Sequence, residues 1–92
     1  MFRRTWKGAI SDAGFEVKIR RPHDIEYREG GRLLMAYMEM LSGEHQIYLD
    51  SRSIRAWNPP FQNELIAVEK KQKILSNICA ALDFLGLKYV IR

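Results

Sequence analysis

Phe15-Glu16-Val17-Lys18-Ile19-Arg20 alternates apolar and charged residues with a period of two, the pattern of a strand with one buried face. Arg21-Pro22-His23-Asp24 interrupts it with turn chemistry, and Ile25-Glu26-Tyr27-Arg28-Glu29 resumes the alternation. Gly30-Gly31 then supplies two residues free to take positive φ, as a tight hairpin requires. The returning strand, Arg32 to about Leu41, is the most apolar of the chain. Leu33, Met35, Tyr37 and Leu41 fall on one face, and Leu34, Ala36, Met38 and Met40 on the other. This predicts a central strand covered on both sides, by a helix on one. The second cover is the N-terminal segment around Phe2 and Trp6, or a second subunit. Ser42-Gly43-Glu44-His45 reads as the next turn, and Gln46 to Asp50 as a further strand. Residues 1–14 are ambiguous: Thr5 to Ile10 fits an edge strand, with Ser11-Asp12-Ala13-Gly14 turning into the next.

Ser51-Arg52-Ser53 leads into Ile54-Arg55-Ala56-Trp57-Asn58-Pro59-Pro60-Phe61, a hinge between two halves of different character. Pro59 and Pro60 lack a ladder donor, and each pushes its predecessor towards extended backbone. A strand carrying Trp57 is therefore expected to end here, fixing the indole near the sheet edge. Beyond the hinge Val68, Leu75, Ile78, Leu82 and Leu85 recur at helical spacing, with Ile74 and Ala81 widening the stripe. Two starts fit this helix. Asn63 caps one at Glu64, while a start near Ala67 lacks a good cap but puts Glu69 in the first turn. Lysines near its positive end oppose the dipole, so packing must hold it. Burying Leu75, Ile78, Leu82 and Leu85 at roughly 1.5–3 kcal/mol each suffices. Gly86 suits a helix end, and Leu87 to Ile91 reads as a closing strand. The expected fold is α+β over residues 1–92 as one domain: an antiparallel sheet of about five strands on one C-terminal helix, with a short closing strand.

Cys79 is the one cysteine, which excludes an internal disulfide and a thiolate cage and fits a reducing cytoplasm. The longest apolar run, Leu33 to Met38, is too short for a membrane span, and no signal-peptide pattern follows Met1. A cytoplasmic protein is expected. The net charge of +4 sits in the N-terminal quarter: Arg3, Arg4, Lys7, Lys18, Arg20 and Arg21 face only Asp12 and Glu16. Such a cluster is either an anion-facing surface or a solubilising first strand.

Nothing in the chain reads as catalytic. His23 and His45 sit in expected turns without ligand spacing, so no metal is expected, and Cys79 among apolar neighbours reads as an inert thiol. Gly30-Gly31 is a hairpin turn and not a phosphate cradle, and no carboxylate pair stands out. The expectation is a protein that is not an enzyme and carries no cofactor.

Ser53 to Pro60, then Asn63-Glu64, the helical Lys73-Ile74-Leu75-Ser76-Asn77-Ile78 and the closing Leu85 to Ile91 resemble one family. It comprises small immunity proteins found beside the toxins of bacterial polymorphic and contact-dependent growth inhibition systems. The resemblance is most specific over residues 47–91. It implies a cytoplasmic protein that binds a cognate toxin domain and blocks it, as an antitoxin. The chain departs from the pattern at its helix start, Ala67-Val68-Glu69-Lys70-Lys71, and in a pI near 9.5. A basic immunity protein argues against a nuclease partner, or for a toxin with an acidic face. The candidate partner-binding residues are Tyr48, Arg55, Trp57, Asn58 and Phe61. Trp57 has two readings, an interface anchor or a core wedge. The alternative function is nucleic-acid binding, because Arg3, Arg4, Trp6, Lys7, Lys18, Arg20 and Arg21 interleave base with aromatic. A homodimer through the strand Leu33 to Leu41 is a third, structural reading.

Overall fold

The computed structural model describes residues 1–20, 22–40 and 46–92. Arg21 and the expected turn from Ser42 to His45 lie outside the described residues. The elements are β1 (Phe2–Thr5), β2 (Gly8–Ser11), β3 (Phe15–Arg20), β4 (Asp24–Glu29), β5 (Arg32–Met40), β6 (Gln46–Leu49), a 3-10 turn (Ser51–Ser53), α1 (Val68–Phe84) and β7 (Lys88–Ile91). The fold is α+β with one C-terminal helix, as expected, but the sheet has seven strands where about five were expected. They lie side by side in chain order. Neighbours from β1 to β6 are antiparallel, while β7 runs parallel to β6.

Both differences have physical causes. The missed hairpin turns at Trp6-Lys7, with Lys7 itself at φ 67. Left-handed backbone costs a residue with a Cβ about 1 kcal/mol, so glycine or asparagine normally marks such a turn. Here lysine stands in that place and the usual sign is missing. What holds the turn is close approach. A Cβ on Gly8 would sit 1.9 Å from the Val17 carbonyl oxygen, and Ile19 N donates to Lys7 O at 2.8 Å. The parallel closing strand follows from α1, which carries the chain back across the sheet so that β7 enters in the direction of β6.

The inner face of the sheet is built by alternation. Val17, Ile25, Tyr27, Leu34, Ala36, Met38, Ile47 and Leu49 are buried there, and α1 lays Ile74, Ile78, Ala81 and Leu82 into the same core. Ile74 thus lies at the centre of the helix's buried stripe, and Val68, expected on that stripe, is 65% exposed. Burying the three large aliphatic side chains of α1 contributes about 5–9 kcal/mol, an upper estimate that offsets a weak start. That start is the later of the two expected: Ala67 is the N-cap, with no side-chain hydrogen bond, and Glu69 lies in the first turn. The other end is well closed. Gly86 at φ 74 lets its N–H reach Asp83 O while Leu87 N donates to Leu82 O, the paired bonds of a Schellman cap.

β5 is central, yet only one of its faces is covered. Met35 and Tyr37, on the other, are 36% and 41% exposed. The N-terminal segment is no second cover. Phe2 points to the helix side, with its ring 5.6 Å from Phe15 and 5.4 Å from Phe84, and Trp6 is 80% exposed. No helix among the described residues is long and apolar enough to cross a membrane.

Candidate functional site

The segment from Asp50 to Asn58 runs along the side of β5 that β4 leaves free. Asp50 N donates to Tyr37 O at 3.0 Å, Tyr37 N to Ser53 Oγ at 2.7 Å, and Asn58 N to Leu33 O at 2.7 Å. This path is irregular after the 3-10 turn, so Trp57 sits on no strand, contrary to expectation. Its indole is 6% exposed and lies flat against Tyr27, centroids 6.4 Å apart, within the cluster that includes Ile54 and Ile66. Beyond it Pro59 and Pro60 are exposed and joined by a cis peptide bond. Phe61 is half-buried beneath the Arg32 guanidinium, 4.4 Å from its ring centre. The same guanidinium forks onto Glu64 with two 2.8 Å bonds. That fork raises the Arg32 pKa and holds the Glu64 carboxyl below its ordinary value.

The five candidate contact residues fall into two places. Asn58 and Phe61 meet the β4–β5 end of the sheet through Leu33 and Arg32. Tyr48 stands on β6 opposite Glu39, with the Arg92 guanidinium 5.3 Å from its ring centre. Leu33 and Glu39 stand six steps apart along β5, roughly 20 Å of strand. Arg55 is exposed between these ends, with Nε donating to Arg52 O at 3.1 Å. Trp57 lies beneath, in the core.

The open face of the sheet joins those ends; the sequence offered it as a face for the N-terminal segment or a second subunit, not as a place for a toxin. By register, Met35 and Tyr37 on β5 share this face with Glu26 and Arg28 on β4 and with Lys18 and Arg20 on β3. On the other side Tyr48 stands opposite Glu39 and Val90 opposite Tyr48. Met35, Tyr37 and Val90 are all more than one-third exposed, and His23 stacks on Tyr37 at 5.5 Å. Beside them Glu26, 3% exposed, accepts from Arg20 Nε at 3.0 Å and pairs with Arg28 at 3.4 Å. A carboxylate gripped by two guanidiniums fixes their positions, which makes that side of the face polar and rigid. The signal was present as alternation: Met35 and Tyr37 are in phase with charged residues on β4, so their side had to be the outer one.

Under the opposite face a polar network ties α1 to the sheet. Asn77 Nδ2 donates to Tyr27 Oη at 2.9 Å, and the Tyr27 hydroxyl and Lys70 both donate to Glu29. Burial, then the Glu29 hydrogen bond, pushes the Tyr27 phenol well above its ordinary range. Burial alone raises Glu29, but the bonds from Lys70 and Tyr27 outweigh it and leave the carboxyl below its ordinary value. Burial also raises the thiol of Cys79, half-buried against the core. His23 is exposed in a turn, and His45 lies outside the described residues. Among the described residues no three His, Cys, Asp or Glu side chains converge as metal ligands.

No curated protein and no solved structure matches the chain. Residues 16–92 match the family described as Immunity protein 74 (Imm74), a span that starts within β3 and takes in β4 to β6, the hinge, α1 and β7. With so much of the chain matched, this protein belongs to the Immunity protein 74 family of toxin systems.

Proposed function

We propose that the chain neutralises a cognate bacterial toxin domain by forming a stoichiometric complex with it in the cytoplasm, without catalysis of its own. Membership of an immunity protein family supports the toxin as partner. The observation that carries the docking mode is the open sheet face, where Met35, Tyr37 and Val90 are 36%, 41% and 41% exposed around Tyr48. Apolar and aromatic side chains on a rigid sheet offer contact area at little ordering cost, and the Arg20–Glu26–Arg28 ladder supplies a polar rim. Tyr48 and Arg55 are the contact residues of this reading, with Asn58 and Phe61 at its border. Trp57, buried under the hinge, holds that border in place. Nanomolar binding needs about 12 kcal/mol, within reach of a patch burying roughly 800 Å² on each partner.

The test is co-expression of the chain with the toxin domain it protects against, followed by size-exclusion chromatography at 50 and 500 mM NaCl. A 1:1 complex at both salts, with the toxin's activity lost in the complex, is the expected result. Retention of RNA or DNA that washes off with salt, with no toxin bound, sinks the reading in favour of a nucleic-acid module.

A further inference from the structure

A second surface lies at the far end of the core, where the β1–β2 hairpin faces the end of α1. A cleft of about 460 Å³ opens there, with Arg4, Lys7 and Arg20 around an apolar floor of Ile19, Met40 and Leu87. No carboxylate lines it among the described residues. Arg20 is engaged with Glu26, but neither Arg4 nor Lys7 forms an ion pair among the described residues. Both cations lie over rings: the Arg4 guanidinium is 5.9 Å from the Phe84 centre, and Lys7 Nζ 4.4 Å from that of Trp6. Thr5 also lines the cleft, and its Oγ1 is buried with no hydrogen-bond partner among the described residues.

At the end of α1 that borders the cleft, the carbonyls of Leu82 and Asp83 are capped by backbone N–H groups. Leu85 N donates to Ala81 O, Gly86 N to Asp83 O and Leu87 N to Leu82 O. The position of Lys7 is built. Its left-handed backbone is secured by the bond from Ile19 N and by the close approach at Gly8, which admits no side chain. The same turn holds Trp6 out at 80% exposure beside the cleft, and tryptophan is prominent among interface anchors. Arg4 and Lys7 precede residues 16–92, the part matched by the family, whereas Ile19, Arg20, Met40 and Leu87 lie within it.

We propose that this cleft takes an acidic segment of the toxin polypeptide, with carboxylates at Arg4 and Lys7 and an apolar side chain on the floor. The assignment rests on the toxin reading above and extends it to a second contact. Charge complementarity selects an acidic partner, and the floor selects polypeptide over nucleic acid. An aliphatic floor gives bases no stacking platform, and the one exposed ring, Trp6, already carries the Lys7 ammonium. An acidic partner also complements the net charge of +4 that the chain carries.

The experiment compares the wild-type chain with the Arg4→Glu/Lys7→Glu variant by fluorescence anisotropy at 50 and 300 mM NaCl. The probes are a labelled peptide alternating Glu and Leu, its Gln-Leu counterpart, and a single-stranded RNA of equal charge. Expected is salt-sensitive binding of the Glu-Leu peptide alone, weakened at least tenfold in the variant. The toxin complex should weaken by a similar factor, chiefly through slower association. Lys7→Glu alone, altering a side chain that touches solvent and Trp6, serves if the double variant does not fold. Equal binding by wild type and variant, or no peptide binding, overturns the cleft assignment. Preference for the RNA overturns it too. Because the peptide arm contains no toxin, its failure leaves the toxin reading standing, whereas a wild-type chain that ignores the toxin fails that reading alone.

Discussion

Replacing Trp57 by alanine tests whether the hinge is a structural wedge. The indole is 6% exposed, so the change opens a void beside Tyr27, Ile54 and Ile66. A buried tryptophan removes about 150–250 Å² from water, worth about 4–6 kcal/mol at 25 cal/mol/Å². Alanine keeps a small part of that, and measured truncations of this kind cost about 3–5 kcal/mol, so about 4 kcal/mol is expected. For a domain of this size total stability is about 5–14 kcal/mol. A loss of 4 kcal/mol lowers Tm by about 16 °C or more, at about 4–8 °C per kcal/mol. The melt should be followed by far-UV circular dichroism. Tryptophan emission cannot serve, because the remaining Trp6 is 80% exposed and senses little change on unfolding. Urea titration should give the same loss through a shifted midpoint at constant slope. A Tm lowered by less than about 5 °C would refute the wedge. If toxin binding were lost in that same variant, Trp57 would be the anchor itself.

Three further outcomes are expected. Gly8→Ala brings a Cβ to within 1.9 Å of the Val17 carbonyl oxygen, so the hairpin must shift; chemical denaturation should show a loss of about 1–3 kcal/mol. Glu29, whose folded pKa is held below its ordinary 4.5, contributes stability that is complete above that value and lost as pH falls through the lowered one. Glu29→Gln should therefore flatten the acid limb of the Tm–pH profile between about pH 5 and 3, and an unchanged limb counts against the Lys70–Glu29–Tyr27 network. Met35→Asp and Tyr37→Ala, both at exposed positions, should change stability by within about 0.5 kcal/mol yet weaken the toxin complex at least tenfold by calorimetry; unchanged affinity removes the open face from the docking surface.

The sequence alone determined the elements with strong periodicity. Alternation in Phe15–Arg20 and Ile25–Glu29 set β3 and β4, the apolar run from Arg32 set β5, and Gly30-Gly31 set the turn between the last two. Helical spacing set α1, and Gly86 its end. The hinge and the helix after it carried the family resemblance, because Trp-x-Pro-Pro is a local pattern that needs no partner to be read. Each of these signals is a constraint that residues place on their own neighbours.

What the tertiary structure decided is everything set by contacts distant in sequence. The β1–β2 hairpin carries lysine at its left-handed position, and contacts with β3, the approach of Gly8 to Val17 and the bond from Ile19 N, secure that backbone. The direction of β7 depends on where α1 lands. Val68, the first residue of α1, is exposed while Ile74 is fully buried, because contact with the sheet decides which turns of the stripe are covered. The same holds for function. Met35 and Tyr37 read as covered until the register placed them beside Glu26 and Asp24, and Trp57, which the hinge suggests first as a core wedge and second as an anchor, is buried against Tyr27. Periodicity tells a residue which neighbours share its side of an element, whereas exposure depends on which side the rest of the chain comes to cover.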